Sequence, residues 1–380
     1  MALVLNEDQQ LLQRTAHDFA RTRSSLKRIR ALRDGGDALG FSRDLWRDMA
    51  ALGWAGIPIP EAYGGAGLGQ VELAVVMEEL GRGLVPEPML STVCLGANAI
   101  VHGGTEEQKR EILPAVASGD TLLAVGWAEA KSRFDPHRVA VRARRARDRW
   151  RLEGEKRLVL DGHVADRLIV SARTAGAESD REGITLFLVD PRAPGVSVTR
   201  QSLLDGRGAA IVRLEDASVD DRSVLGEAGR GGHLLERVID CAAAALAAEM
   251  LGSMSAVFEM TLEYLKTRKQ FGVPIGSFQA LKHRAAVVYT EIQLTRSAVL
   301  GASGALDAGA EDAADLVAIA KARASDAFLL AANEAVQMHG GIGMTDEHDV
   351  GFFLKRARAA EMTFGDAAWH RARFADRHGY

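Results

Sequence analysis

Apolar positions recur at helical spacing from Asn6 to Ser118 and again from Gly232 to the end, whereas the stretch from Thr121 to about Gly226 breaks into short apolar runs. The first stretch predicts helices separated by Gly/Pro loops. Ser42 ahead of Leu45-Trp46 reads as a helix cap, and Thr105-Glu-Glu-Gln108 has the form of a capping box. The middle stretch predicts strands at Leu168-Ile-Val170, Thr185-Leu-Phe-Leu-Val189 and Ala210-Ile-Val-Arg-Leu214, each set off by Asp, Gly or Pro. The last stretch predicts the long helices of a bundle, with one running through Leu246 to Leu265. The expected fold is mainly α with a central β domain, divided into residues 1–120, 121–230 and 231–380. No internal repeat or low-complexity segment interrupts that order.

Where the long helix stops, the chain reads Arg268-Lys-Gln-Phe-Gly-Val-Pro-Ile-Gly-Ser-Phe-Gln279. Val273-Pro274-Ile275-Gly276 breaks the backbone and a new helix is expected near Ser277. An Arg fork beside such a break can grip a phosphate pair, with the amides of Gln270 and Gln279 adding neutral hydrogen bonds. Phe271 and Phe278 can pack against a flat ring. The plainer alternative is an Arg stabilised by the helix dipole beside two core aromatics. A second segment, Gln337-Met-His-Gly-Gly-Ile-Gly-Met-Thr345, ends another Ala-rich helix. Its Gly340 and Gly341 allow left-handed backbone and the close approach of a ligand, which an ordinary helix C-cap also uses.

These two segments, in this order, resemble the acyl-CoA dehydrogenase family. The resemblance extends to the Asn6-Glu-Asp-Gln-Gln start and the Pro60-Glu-Ala-Tyr-Gly-Gly65 loop, and so covers almost the whole chain. It implies an N-terminal helical domain, a middle β-barrel-like domain and a C-terminal four-helix bundle. It also implies FAD as cofactor, an acyl-CoA thioester as substrate, α,β-desaturation as the reaction and an electron-transfer acceptor as partner. By the same resemblance Arg268, Gln270, Phe271, Gln279, Gln337, Gly340 and Gly341 would hold the ADP portion of FAD.

The family's base is a glutamate in a segment Tyr-Glu-Gly-Thr, matched here by Thr363-Phe364-Gly365-Asp366, so the base position is Phe364. A phenyl ring takes no proton. The alternative site used by a minority of members falls on Ala242, beside Ala243. Asp366, Glu361 and Glu249 are the carboxylates left as substitutes, with Asp366 nearest the usual position; Glu249, inside an apolar run, would be costly unless paired. In the β domain, Trp127-Ala-Glu-Ala-Lys-Ser-Arg-Phe-Asp135 keeps Glu129 and Asp135 but not the usual Gly-Ser loop. Leu158-Val-Leu160 stands where the family sets Trp-Ile-Thr against the flavin ring, and leucine offers no hydroxyl. The ADP-gripping half is thus kept and the ring-facing half altered. That pattern resembles the small, glutamate-lacking subunits of heteromeric members, pimeloyl-CoA dehydrogenase among them, in which one chain completes an FAD site on another. The expectation is a heterotetramer with a homologous dehydrogenase subunit. The alternatives are a self-sufficient homotetramer using an unusual base such as Asp366, or a non-catalytic relative that kept the fold.

Composition narrows the picture little further. A hydrophobic share of 47% allows a large core, and a net charge of −4 argues against a general nucleic-acid binder. The basic run Arg21 to Arg33 reads as a solvated helix face or loop. Cys94 and Cys241 have no disulfide or zinc spacing, His163, His233 and His283 are scattered, and no metal site is expected. Ser171 and Ser202 lack a hydrolase turn, and Gly64-Gly-Ala-Gly67 and Gly229-Arg-Gly-Gly232 read as loops. No apolar core of a signal peptide opens the chain, so a cytoplasmic protein with no membrane span is expected.

Overall fold

The computed structural model describes residues 4–380. Helices Glu7–Arg23 (α1), Leu26–Asp34 (α2), Arg43–Ala51 (α3) and Gln70–Arg82 (α4) come first, and a π-helical stretch, Met89–Ala97, runs into Asn98–Gly103 (α5) before Glu106–Ala117 (α6). Strands Leu123–Gly126 (β1), Arg142–Ala146 (β2), Arg149–Leu160 (β3), Arg167–Arg173 (β4), Ile184–Val189 (β5), Val196–Ser202 (β6), Gly208–Asp220 (β7) and Val224–Leu225 (β8) follow. Then come Gly231–Thr267 (α7), a hairpin of Lys269–Gln270 (β9) and Val273–Pro274 (β10), and helices Gln279–Asp307 (α8), Ala313–His339 (α9), Val350–Met362 (α10) and Ala367–Arg377 (α11). Helices, then strands, then long helices is the order the hydrophobic pattern predicts. The Thr105–Gln108 capping box and the Ser42 cap both form, and Asn6 with Gln9 makes a second box.

The chain divides into two compact units. One comprises the chain up to Gly35, Gln70–Val85 and Ala243–Tyr380; the other comprises Gly36–Gly69 and Pro86–Ala242. In the first, α9 packs against α8, α10 and α11 through a seam of small residues around Phe328, including Ala320, Ala324 and Ala332, all fully buried. Small residues also let α4 and α7 touch backbone to backbone. A Cβ on Gly252 would run into the Glu78 carbonyl, and one on Gly81 into the Glu249 carbonyl. The Ser253 hydroxyl donates to the Gly81 carbonyl at 2.8 Å in the same crossing. The basic run is more than a solvated face: Arg30 and Arg33 ion-pair with Asp346 at 3.0 and 2.7 Å, and both guanidinium groups lie over the Phe352 ring.

The second unit is built on a sheet of order β6-β7-β3-β2-β4-β5-β8, with β1 parallel to β4. Alternating positions on its strands supply one core, with Trp150, Leu152, Val170, Phe187 and Val212 among its members. The long antiparallel pair β3–β7 slips register twice, between Leu152 and Gly154 and between Lys156 and Val159. The second slip turns Leu158 into the left-handed region at φ +50°.

By length and composition alone α7 would cross a membrane, but 89% of its most apolar window is buried within the protein. Cys94 and Cys241 are buried and not joined in a disulfide, and among the described residues no His, Cys, Asp and Glu side chains group as a metal site.

Candidate functional site

Helix α7 ends at Thr267, and the Arg268 N–H still bonds back to the Tyr264 carbonyl at 2.8 Å. The break expected after it is a small hairpin. Val273 pairs with Gln270, and the turn puts Phe271 at φ +53° with its side chain 93% exposed. Helix α8 begins at Gln279 after a single tight turn, Ile275–Ser277, slightly later than the sequence suggests. Phe271 and Phe278 meet edge to face, ring centroids 6.1 Å apart. Neither is a core aromatic, which removes the plainer reading of the segment. Arg268, Gln270 and Gln279 are exposed; Gln270 reaches the Lys269 carbonyl at 2.7 Å, while the Arg268 and Gln279 side chains make no hydrogen bond or ion pair among the described residues.

The second segment comes to the same end of the bundle. Tyr264, one turn before Arg268, packs against His339 with centroids 4.4 Å apart, and His339 meets His348 at the same distance with the rings tilted by 51°. His339 directly precedes Gly340, whose φ of 65° and ψ of −141° suit glycine alone. A Cβ on Gly340 or Gly341 would meet nothing within 4 Å, so nothing in this chain fills the space in front of them. Gln337 is exposed, and its side chain makes no hydrogen bond among the described residues. An unpaired guanidinium, unpaired amides and open glycines therefore converge on one surface. His339 is buried, and that burial holds it below its ordinary pKa.

The segment matching the family's base is a tightly held loop without a free carboxylate. Phe364 is 3% exposed and sits at φ +60°. Asp366 caps α11, accepting from the Trp369 N–H at 2.8 Å. Glu361 is ion-paired with Arg358 at 2.5 Å, and Glu249 forms a buried pair with Arg356 at 2.8 Å, so its apolar position is compensated. Two residues that the hydrophobic pattern hides fasten the loop. Lys321, fully buried on α9, donates to the Gly365 carbonyl at 2.8 Å and to the Glu361 carbonyl and Ser325 hydroxyl at 3.1 Å; burial pulls its pKa down to about 7. His370 lies 3.0 Å from the Phe364 carbonyl. A lysine four residues before a serine inside an Ala-rich helix is the signal that could have found the first.

Burial, then the cations Lys321 and Arg373, hold His370 down at about 3, against an ordinary value near 6.5. Between those values the unfolded chain binds a proton that the folded chain refuses, so stability rises with pH across the window and is lost as pH falls from about 6.5 toward 3. Urea unfolding at several pH values should show His370→Gln flattening this acid limb by up to about 1.4 kcal/mol per pH unit; parallel limbs in the two proteins would show that His370 titrates normally.

In the β domain, Glu129 is spoken for. It accepts from the Ala140 and Val141 N–H groups at 2.7 and 3.1 Å and pairs with Lys156 at 2.5 Å. Lys156 also donates to Ser171 at 2.9 Å, which gives that serine a structural partner, and burial lowers the lysine to about 8. Asp135 closes a turn on the His137 N–H at 2.9 Å. Leu158, on its bulge, is instead 56% exposed. An exposed leucine in a left-handed conformation breaks two local rules at once. His163 bonds the Leu39 carbonyl at 3.0 Å, and His233 and His283 are exposed.

Sequence comparison places these features in a known frame. Family models described as the acyl-CoA dehydrogenase N-terminal, middle and C-terminal domains match residues 6–120, 124–216 and 229–379. The chain is 32% identical over 371 residues to the probable acyl-CoA dehydrogenase YngJ of Bacillus subtilis, covering 96% of each. Among solved structures, the Tcur3481-Tcur3483 steroid ACAD variant superposes with a TM-score of 0.88 at 33% identity, covering 98% of each chain. The ChsE4-ChsE5 complex from Mycobacterium tuberculosis superposes with a TM-score of 0.90 at 28% identity, over 100% of this chain and 99% of that one. The chain belongs to the acyl-CoA dehydrogenase family, oxidoreductases whose cofactor is FAD.

Proposed function

We propose that this chain is an acyl-CoA dehydrogenase subunit that completes an FAD site on a homologous, base-bearing neighbour in a heterotetramer. The observation that carries the reading is Phe364, a buried phenyl ring at the base position, with Asp366, Glu361 and Glu249 each engaged elsewhere. The exposed, unpaired Arg268, Gln279 and Gln337 and the open Gly340 and Gly341 fit the phosphates and ribose of a dinucleotide brought by another chain. When bound, FAD supplies the two-electron acceptor for desaturation of an acyl-CoA thioester.

In this reading Arg268 grips the pyrophosphate, Gln270 and Gln279 supply neutral hydrogen bonds, and Gln337 with Gly340 and Gly341 admits the ribose edge. Phe271, extended into solvent, packs on the neighbour. Leu158 offers no hydroxyl to the ring, so the chain's own ring-facing side holds FAD poorly. Likeness to a two-chain complex supports a heteromer. Electrons then pass to an electron-transfer acceptor.

The test is the flavin absorption spectrum and native mass of the chain made alone and together with a base-bearing dehydrogenase chain. The expected result is colourless protein alone and a yellow heterotetramer together. Arg268→Ala should lower flavin occupancy of the heterotetramer by about tenfold, the loss of one charge-assisted contact. A yellow homotetramer that turns over acyl-CoA would overturn the reading, most directly if Asp366→Asn, which retains the helix cap, abolished that turnover.

A further inference from the structure

Residues 142–151 read Arg-Ala-Arg-Arg-Ala-Arg-Asp-Arg-Trp-Arg, six arginines and one aspartate in a chain whose net charge is −4. They form the β2–β3 hairpin. The register sets Arg144 directly opposite Arg151 and Arg142 opposite Glu153. Ala143, Trp150 and Leu152 point into the core, so Arg142, Arg144, Arg149 and Arg151 share the outer face.

Two of the six arginines are neutralised within the unit, Arg145 by Asp221 at 2.5 Å and Arg151 by Asp216 at 3.0 Å. The side chains of Arg142, Arg144, Arg147 and Arg149 are exposed and make no hydrogen bond or ion pair among the described residues. Like charges directly across a strand pair are unfavourable, so the Arg144–Arg151 pairing does not serve the sheet. The turn is equally unhelpful. Arg147 stands at φ +60° in a two-residue hairpin loop, a place that favours Asn or Gly and where a long side chain is strained.

One structural duty is available to such charges. Strand β2 meets β4 only at Arg142, which leaves its outer edge open, and cations on an open edge deter unwanted strand pairing. That explains Arg142 and Arg144 on β2 itself. It does not explain Arg147 in the turn, and Arg149 on β3 stands opposite Asp220 rather than on an open edge.

We propose that this hairpin face is a docking surface for a partner protein that presents a short run of carboxylates. Free guanidinium forks bind carboxylates bidentately. The extent of the patch selects among polyanions: Asp216 and Asp220 on β7 border it on one side and Asp148 sits at the tip. A long nucleic-acid track or a membrane plane would press phosphates against that acidic border, whereas a short acidic segment lies on the arginines alone. The proposal stands apart from the FAD reading, because it uses none of the residues assigned there to the cofactor.

The test uses the full chain and a labelled decaglutamate peptide, titrated at low salt and at about 150 mM salt, where surface charges are screened beyond roughly 8 Å. The expected result is salt-sensitive binding that the double variant Arg144→Glu/Arg149→Glu weakens by about tenfold, with unchanged native mass and thermal unfolding. Arg147→Gly separates charge from folding: it should leave the protein as stable or more so while weakening binding about twofold. No binding of the peptide, or binding indifferent to the charge reversal, would overturn the proposal. So would tighter binding of an oligothymidylate of matching length, or of phosphatidylserine vesicles, that the same double variant abolishes.

Discussion

Replacing Glu249 by Ala is expected to destabilise the helical unit by about 3–5 kcal/mol, because it takes the paired carboxylate from a buried cation. Glu249 lies mid-way along α7 at 2% exposure, and Arg356 on α10, at 4%, reaches it across 2.8 Å. With the carboxylate gone, Arg356 keeps its charge in a site from which water is excluded, and Lys321 nearby adds a like charge. Glu249→Gln should lose nearly as much, since an amide keeps the shape but not the compensation. Replacing both partners by Met removes both charges and should recover most of the loss. Urea unfolding of the four proteins tests this; a loss under about 1 kcal/mol for Glu249→Ala would mean the site is wet and the pair unimportant.

A single methyl at Gly252 should be as damaging. Gly252→Ala places a Cβ against the carbonyl of Glu78 and near the Arg82 N–H, all backbone atoms of α4. No side chain is there to swing away, so α4 and α7 must part, and with them the Ser253 bond to the Gly81 carbonyl. The expected loss is about 3 kcal/mol or more, at the upper end for overpacked sites. Gly301→Ala in α8 is the control: its Cβ would meet nothing within 4 Å, so the higher helix propensity of Ala should leave stability equal or raise it by up to about 1 kcal/mol. Equal effects of the two substitutions in thermal unfolding would refute the close crossing.

Much of this was legible in the sequence because it rests on local rules. Caps at Ser42 and Thr105, strands at Val170 and Phe187 and the long helix before Arg268 follow from spacing and side-chain chemistry within a few residues. That Phe364 carries no proton-accepting group was equally visible. What the sequence concealed depends on partners distant along the chain. Lys156 and Lys321 look like surface lysines until Glu129 and the Gly365 carbonyl are brought to them. Asp366 looks like a spare carboxylate until the Trp369 N–H occupies it. The β2–β3 hairpin escaped notice because an outer face made of arginine hides the alternation that marks a strand. The π-helical stretch at Met89–Ala97 is apolar on every side and gives no period to read.

The hairpin's choice of cation has a consequence for a protein of this family. Acyl thioesters transfer their acyl groups to exposed lysine amines without help, and each transfer erases a charge. Guanidinium groups, protonated at any physiological pH, do not undergo this reaction. A patch made of lysine would fade as the protein aged beside its own substrates. Made of arginine, it carries the same charge in old molecules as in new ones, and its contacts are closed to control by lysine acylation.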